Sequence, residues 1–228
     1  ERFYMIRSRS ATRDAWWACA RGEQWLAEAK GVAPKPILHC VRAPAKPYLD
    51  GRLDDAVWKR TKPAKLSSPL EDDADWPARV MLAYDGEFLY LAIEARDAPG
   101  VKYPLAQGPR PRDPDQSDQD RGELLVDLDR DFATYYRLSI DHRGWPAEGC
   151  WGDPTWNPTW FVAADAAEGG WTAEAAIPFD QLTGQYPASR TTWAIGLQRI
   201  VPGAGFQSWN RPAAAVAVPE GFGYLVFE

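Results

Sequence analysis

Two residues of opposite charge, Glu123 and Arg137, have a spacing that would let them bind one polar ligand together. Residues 120–141 alternate between apolar and polar side chains around a short acidic break, which predicts a hairpin with both residues on the same face. A carboxylate accepts hydrogen bonds and a guanidinium donates them, so a rigid pair of this kind can hold hydroxyl groups. An exposed cross-strand ion pair, worth less than about 1 kcal/mol, explains the same pattern without a ligand.

Tryptophans in irregular segments are the second group of candidate binding residues. The chain has 12 tryptophans, and four of them lie in segments rich in glycine and proline: Trp145, Trp151, Trp156 and Trp209. An exposed indole ring that covers about 100 Å2 of the C–H face of a sugar would contribute roughly 2.5 kcal/mol to binding. The alternative is that these rings close over the core, where strand patterns place three others: Trp58, Trp171 and Trp193.

A third group consists of carboxylates at the tip of the predicted hairpin. Asp127, Asp129 and Asp131 occupy alternate positions, and calcium takes about six to eight oxygen ligands from carboxylates, carbonyls and water. The stretch lacks the glycine and the closing glutamate of an EF-hand loop. A structural calcium site and a solvated acidic turn are therefore both open.

Composition and motifs argue against several other classes of protein. The net charge of −6 disfavours nucleic-acid binding, which needs clustered lysine and arginine. No apolar run is long enough to span a membrane. Cys19, Cys40 and Cys150 are widely spaced, without a Cys-x-x-Cys pair, which disfavours a zinc site. One disulfide with a free thiol and three separate thiols both remain open.

Catalysis finds little support in the sequence. There is no Gly-x-Ser-x-Gly motif and no serine, histidine and aspartate in the order of a known triad. Glu123 with Asp120 or Glu174 could form a carboxylate pair for glycoside cleavage, but Glu174 follows a core-like pattern. We therefore expect a protein that is not an enzyme and that needs no organic cofactor.

The elements that would position these residues are short β-strands. Asp85-Gly86 separates two alternating segments and predicts a second hairpin with a tight turn. The second strand of that hairpin is apolar on both faces and is expected in the centre of a sheet. Roughly ten such strands predict an all-β fold, an antiparallel β-sandwich of the jelly-roll type, over residues 46–228.

Residues 1–45 differ from the rest of the chain. Residues 15–30 lack proline and predict a helix that ends at Gly31, too apolar to stand alone in water. We expect this helix to be the end of an upstream region and to pack against that region rather than on the sandwich. The first residue is Glu, without a signal-peptide pattern after it, so we also expect the chain to be a piece of a longer protein.

Several short motifs occur in one order along residues 46–228. They are Leu49-Asp-Gly-Arg-Leu-Asp-Asp-Ala-Val-Trp58, Tyr84-Asp-Gly-Glu-Phe-Leu-Tyr90, Asp120-x-x-Glu123-x-x-x-Asp127, Trp171-Thr-Ala-Glu-Ala-Ala-Ile-Pro-Phe179, Trp193 with Arg199 and Trp209, and Phe222-Gly-Tyr-Leu. In this order the motifs resemble the family 9 carbohydrate-binding modules and their wider DOMON-like relatives. The resemblance implies a β-sandwich that grips the end of an oligo- or polysaccharide between two tryptophans, often with structural calcium.

The resemblance also implies roles for individual residues and a location. Trp209 is similar to the second tryptophan of the clamp, Glu123 to the carboxylate that accepts sugar hydroxyls, and Arg137 to its basic partner. Such modules imply a secreted, periplasmic or cell-surface protein with further domains.

One position departs from the family pattern. The first tryptophan of the clamp is expected shortly before Asp120, where this chain has Ser117. Trp151 or Trp156, from the next loop, could take its place. A structural or interaction domain that keeps the fold but has lost the clamp is the first alternative.

A haem carrier of the DOMON type is the second alternative. Its axial ligands would come from the few histidines and methionines of the chain, which are Met5, His39, Met81 and His142. His39 lies in an apolar run and is expected in the core.

Overall fold

The computed structural model describes residues 2–28, 30–111, 114–153, 155–167 and 169–228 of the chain, and within them it contains three α-helices and twelve β-strands. The helices are α1 Arg2–Ser8, α2 Ala15–Glu28 and α3 Ala56–Arg60. The strands are β1 Ile37–Arg42, β2 Ala64–Lys65, β3 Ala78–Tyr84, β4 Phe88–Arg96, β5 Arg121–Asp127, β6 Tyr136–Asp141, β7 Pro146–Cys150, β8 Phe161–Ala167, β9 Gly170–Pro178, β10 Thr192–Val201, β11 Gly205–Ser208 and β12 Gly223–Phe227.

The strands pair in the order β7-β6-β5-β10-β12-β1-β3-β4-β9-β8, with β11 beside β10 and β2 beside β3. We call β7, β6, β5, β10 and β12 the β5 half, and β3, β4, β9 and β8 the β4 half. β1 lies between the halves and is parallel to both β12 and β3. The other described pairs are antiparallel. The antiparallel prediction therefore fails at β1, because its partners are distant in sequence and no tight turn joins them to it.

Both halves contribute side chains to one core. Leu124 and Leu197 from the β5 half belong to the same buried cluster as Leu91 and Ile93 from the β4 half. Gly122 lies so close to Ile93 that an added Cβ atom would come within 2.7 Å of the Ile93 Cδ1 atom. The two halves thus face each other across the core. The predicted all-β fold is confirmed, and the shared core is compatible with the predicted sandwich.

Both predicted hairpins are present. β5 pairs antiparallel with β6, and β3 pairs antiparallel with β4. β4 lies between β3 and β9 and is buried along most of its length, as its apolar pattern predicts. β7 lies in a segment predicted to be irregular. It is an edge strand, where Pro146 is tolerated because no ladder hydrogen bond is lost on the open side.

α2 packs on the outer face of the β5 half. Cys19 of α2 belongs to one buried cluster with Phe222 and Tyr224, and a Cβ atom added to Gly22 would collide with the Tyr224 hydroxyl. That hydroxyl donates a hydrogen bond to Glu23 Oε1 at 3.2 Å. The sequence predicts that this helix packs against an upstream region. In the structure its apolar face is instead buried against the sandwich itself.

The predicted helix of residues 15–30 includes Ala29, which lies outside the described residues. The boundary at residue 45, and an origin of residues 1–45 in an upstream region, stay predictions. In the described part of the chain, no helix combines the length and the apolar character that a membrane crossing requires.

The three cysteines are free thiols, with Cys19 and Cys40 buried and Cys150 half-buried. Burial raises the pKa of the Cys19 thiol to about 11. This thiol is therefore protonated and unreactive at neutral pH.

Candidate functional site

A pocket lies on the outer face of the β5 half, next to the area that α2 covers. It has a volume of about 310 Å3, near the lower end of the range of about 300–1,000 Å3 that is typical of small-molecule sites. Its polar lining consists of Arg121, Glu123, Tyr135, Arg137 and Gln198. The structure thus brings Glu123 and Arg137 together on one face, as the alternation of residues 120–141 predicts.

Glu123 is held in one orientation by its neighbours and is only 5% exposed. Its Oε1 atom accepts a hydrogen bond from Arg121 Nε at 2.9 Å, and its Oε2 atom accepts one from Gln198 Nε2 at 2.7 Å. Arg137 Nη1 is 3.8 Å from Oε1, which is within ion-pair range but beyond hydrogen-bond distance. The carboxylate is therefore a pre-organised hydrogen-bond acceptor.

Gln198 stands directly opposite Glu123 in the pairing of β5 with β10, and it is 1% exposed. Because an ionised carboxylate only accepts hydrogen bonds, the Gln198 amide must turn its NH2 group towards Glu123. The Oε1 atom of Gln198 then has no hydrogen-bond partner among the described residues. A buried acceptor without a donor is costly, so Gln198 holds Glu123 in place while one of its own atoms stays unpaired.

Arg137 is the more accessible of the two arginines, with a side chain 41% exposed compared with 16% for Arg121. It stands between Leu125 on β5 and Gly149 on β7. Its guanidinium makes no hydrogen bond within the described part of the chain. Its N–H donors therefore remain available to a ligand.

Aromatic rings are scarce at the pocket. Tyr135 is the one aromatic residue among its described lining residues. Trp151 is 68% exposed and lies between Gly149 and Gly152, which both line the pocket. Its backbone N–H donates to the Tyr135 carbonyl oxygen at 2.8 Å. Trp151 thus stands at the rim, where the sequence places a candidate stacking residue.

Trp209 lies elsewhere. Its ring rests directly on Gly223, where an added Cβ atom would come within 2.6 Å of the indole. The residue lines a separate cavity of about 240 Å3 together with Lys65 and Asn210. The predicted pairing of Trp209 with Glu123 in one site is therefore not what the structure assembles, because the indole is used to cover the backbone of β12.

Trp156 is also separate from the pocket. Its ring packs against Tyr136, with the two ring centroids 4.6 Å apart, and both residues border the buried core cluster. The two-tryptophan clamp is therefore not assembled around Arg137. Trp151 is the predicted tryptophan whose neighbours in the chain, Gly149 and Gly152, line the pocket.

Comparisons with known proteins point to one family. A family model described as "Carbohydrate family 9 binding domain-like" matches residues 49–205. The chain belongs to this family. A family 9 carbohydrate-binding module from Caldicellulosiruptor kristjanssonii in complex with cellotriose is similar, with a TM-score of 0.61 and 17% identity over 85% of this chain and 94% of that chain.

The same comparison finds a family 9 module from that organism in complex with glucose, with a TM-score of 0.60 and 16% identity over 85% of this chain and 96% of that chain. At these identities the likeness shows the fold alone. No curated protein matches this family 9 module.

Another cavity of this family 9 module, of about 410 Å3, lies on the β4 half and is lined in part by Arg79 and Glu94. These two side chains bind each other, with Arg79 Nε donating to Glu94 Oε2 at 2.8 Å. The two charges therefore balance each other within the pair. The pocket at Glu123 is therefore the better candidate, although it is smaller.

The predicted calcium ligands of the family 9 module come together at the tip of the β5–β6 hairpin. Asp127, Asp129 and Asp131 can each place one carboxylate oxygen within 4.8 Å of the others. This spacing fits calcium, whose oxygen ligands at about 2.3–2.6 Å can be about 5 Å apart. The backbone N–H groups of Arg130 and Phe132 already donate to the two Asp127 oxygens, at 2.7 and 2.8 Å.

Asp127 is fully buried, and this burial raises the pKa of its carboxyl group to about 7. The two backbone N–H groups oppose the shift, because they favour the charged form. The spacing of the three carboxylates would suit a cation. The backbone hydrogen bonds to Asp127 also explain the cluster as an acidic turn that needs no ion.

The four candidate haem ligands lie in different surroundings in the family 9 module. Met81 is buried in an apolar cluster on the outer face of the β4 half, and His142 Nε2 lies 3.0 Å from the Pro104 carbonyl oxygen. Met5 is 53% exposed on α1. His39 has a 56% exposed side chain, so its predicted core position is wrong.

Arg121 and Gln198 are among the pocket residues of the family 9 module that the sequence did not predict. Arg121 has the same parity as Glu123 on β5, so the alternation alone could have placed it on this face. Gln198 is different, because its position depends on the register between β5 and β10. No local pattern reveals that register.

Proposed function

We propose that this family 9 module binds carbohydrate in the pocket at Glu123 and Arg137. A sugar hydroxyl both donates and accepts hydrogen bonds, and the pocket offers both kinds of partner. Glu123 would accept hydrogen bonds from hydroxyls, and Arg137 would donate to them. Family membership and the fold shared with modules seen with cellotriose and glucose support this proposal.

The observation that carries the proposal is the incomplete hydrogen bonding of an accessible cation beside a fixed carboxylate. The Arg137 side chain is 41% exposed, and its Nη1 atom is 3.8 Å from Glu123 Oε1, beyond hydrogen-bond distance. A ligand with hydroxyl groups would accept hydrogen bonds from Arg137 and donate to Glu123.

A non-catalytic role is part of the proposal. Glycoside cleavage uses two carboxyl groups that flank the scissile bond, about 5–9.5 Å apart. Glu123 is the one carboxylate among the described lining residues of the pocket. The pocket therefore supports binding rather than bond cleavage.

The affinity for a neutral sugar is expected to be modest. Each ring missing from a two-tryptophan clamp forgoes roughly 2.5 kcal/mol of apolar contact. A dissociation constant in the millimolar range corresponds to only about −4 kcal/mol. Trp151 at the rim is the residue that could recover part of this contact.

Isothermal titration calorimetry tests the proposal with glucose, cellotriose and a wider set of oligosaccharides. We expect saturable binding that Glu123→Gln reduces at least tenfold, because charged hydrogen bonds contribute about 1.5–3 kcal/mol. Glu94→Gln is the matched control, since that acid pairs with Arg79 at another cavity. The absence of any bound sugar, or equal affinities for wild type and Glu123→Gln, would overturn the proposal.

A structural or interaction domain without sugar binding is the alternative, and the missing clamp favours it. Wild-type protein that binds no member of a glycan array would support this alternative. A location outside the cytoplasm and neighbouring domains in a longer parent protein are part of the proposal, supported by family membership alone.

Calcium binding by Asp127, Asp129 and Asp131 stays a prediction. A ligand at 100 times its dissociation constant would stabilise the fold by about 2.7 kcal/mol, so calcium should raise the melting temperature and a chelator should lower it. Asp129→Asn should abolish the shift, since Asp129 is exposed. Equal melting temperatures with calcium and with chelator would reject the prediction.

A further inference from the structure

The pocket carries a surplus of positive charge. Arg121 and Arg137 contribute two guanidinium groups, and Glu123 is the one carboxylate among the described lining residues. The chain as a whole carries a net charge of −6, so the local sign is opposite to the overall one. A neutral sugar would leave the surplus charge without a partner.

The two arginines differ in how far their charge is satisfied. Arg121 donates to Glu123 at 2.9 Å and to the Gln116 carbonyl oxygen at 3.0 Å, and its side chain is 16% exposed. Arg137 is 3.8 Å from Glu123 and 41% exposed. Glu123 is therefore neutralised chiefly by Arg121, and Arg137 is the surplus cation.

The apolar side chains of the pocket are too small to replace the stacking contact that a tryptophan would make with a sugar ring. Ile200, Ala215, Val216 and Ala217 supply aliphatic groups around the pocket. Aliphatic side chains of this size offer a sugar ring less contact area than an indole would. A tighter complex therefore needs a polar interaction stronger than a hydroxyl hydrogen bond.

We infer that the preferred ligand is a glycan containing a hexuronate residue, whose carboxylate pairs with Arg137; this inference rests on the sugar-binding function proposed above. A planar carboxylate matches the two parallel N–H donors of a guanidinium, and such charged pairs are about twice as strong as neutral hydrogen bonds. One carboxylate balances the one surplus charge. The hydroxyls of the same residue would reach Glu123 and Gln198.

The negative charge of Glu123 does not prevent this arrangement. Its two oxygens already accept hydrogen bonds from Arg121 and Gln198, which spreads the charge away from Arg137. The exposed part of the Arg137 guanidinium is the part that a ligand carboxylate would meet.

Calorimetry with three ligands tests the inference: glucose, glucuronate and the methyl ester of glucuronate, which keeps the ring but removes the charge. We expect wild type to bind glucuronate roughly tenfold more tightly than the other two ligands. Arg137→Gln should weaken the binding of all three ligands, because Arg137 also donates to sugar hydroxyls, but it should remove the roughly tenfold preference for glucuronate. Arg137→Lys should keep part of the preference, because it keeps the charge but loses the planar fork.

Arg79→Gln, which alters the exposed ion pair on the β4 half, is the control and should bind as wild type does. Thermal melting checks that every variant is folded. Equal binding of all three ligands by wild type overturns the hexuronate inference and leaves sugar binding intact. A preference that survives in Arg137→Gln overturns the role of Arg137, and no binding of any ligand, on a full glycan array as well, overturns the proposed function together with this inference.

Discussion

Two acid–arginine clusters lie on opposite faces of β5 and β10, and they differ in how completely their hydrogen bonds are satisfied. In the inner cluster, Arg199 is fully buried and donates to the two Asp120 oxygens at 2.9 and 2.5 Å. It also donates to the carbonyl oxygens of Trp76 and Arg96, at 3.0 and 2.6 Å. Trp171 from the opposite half donates to Asp120 at 3.0 Å.

The outer cluster has the same kinds of side chain but is left incomplete. Arg137 is 3.8 Å from Glu123, and Gln198 Oε1 has no partner among the described residues. The inner cluster joins the two halves of the fold, whereas the outer cluster is open to a ligand. The comparison teaches that residue types alone do not identify a site, and that donors without partners at an accessible surface mark the better candidate.

The largest effect on stability is expected from Arg199→Met. Removing one partner of a buried ion pair leaves Asp120 charged and without its main donor, which costs about 3–5 kcal/mol. Urea denaturation measures the change in the free energy of unfolding. The matched control is Arg137→Met in the outer cluster, which should change stability by less than about 0.5 kcal/mol. Similar losses of stability in the two variants would contradict the view that only the inner cluster is structural.

The next effect is expected from Gly22→Val on α2. The added side chain must displace Tyr224, and overpacking of this kind costs about 1–3 kcal/mol. Tyr135 and Ala217, which line the pocket, pack against the same cluster as α2, so the sugar affinity of the outer cluster should fall as well. Arg21→Ala on the exposed side of α2 is the control. A loss of stability with unchanged sugar affinity would show that the packing of α2 does not support the site.

A smaller loss of stability is expected from Glu123→Gln, about 1–2 kcal/mol. The amide keeps the shape of the carboxylate but weakens its charged hydrogen bonds. Asp120→Asn makes the same change in the inner cluster and should cost more, because Arg199 and Trp171, which donate to Asp120, are both buried. Chemical denaturation of both variants gives the ranking. The reverse ranking would show that the outer cluster is the structural one.

The smallest effect on stability, below about 0.5 kcal/mol, is expected from Trp151→Ala, because the residue is 68% exposed. If its ring contributes about 50 Å2 of contact, sugar affinity should fall roughly tenfold. Trp156→Ala should do the opposite, lowering stability through the lost Tyr136 contact without changing affinity. Calorimetry and thermal melting of the pair measure both quantities. An unchanged affinity in Trp151→Ala would leave the outer cluster without a stacking residue.

Local alternation explains which parts of the site could be predicted from the sequence. The parity of side chains along a strand places Glu123 and Arg137 on one face, and the Asp85-Gly86 turn predicts the hairpin of β3 and β4. These patterns depend on neighbours within about ten residues. They hold because a shift by one position would turn the apolar face to solvent.

Features set by distant pairing could not be predicted in this way. Gln198 reaches Glu123 through the register of β10 with β5, and Trp209 is directed to β12 by packing on Gly223. The position of α2 depends on the shape of the outer face rather than on its own sequence. The family resemblance predicted Trp209 in the site from its position in the order of motifs. That order does not determine which surface a loop residue covers.

The parallel strand β1 has a consequence for how the protein is made. It pairs with β12, which the ribosome synthesises some 180 residues later, and also with β3. The β3–β4 hairpin can form on the ribosome, but the two halves of the described sheet are joined through β1 only after β12 has emerged. We therefore expect one edge of β1 to stay unpaired in the nascent chain until β12 has emerged, with chaperone assistance favoured during that interval.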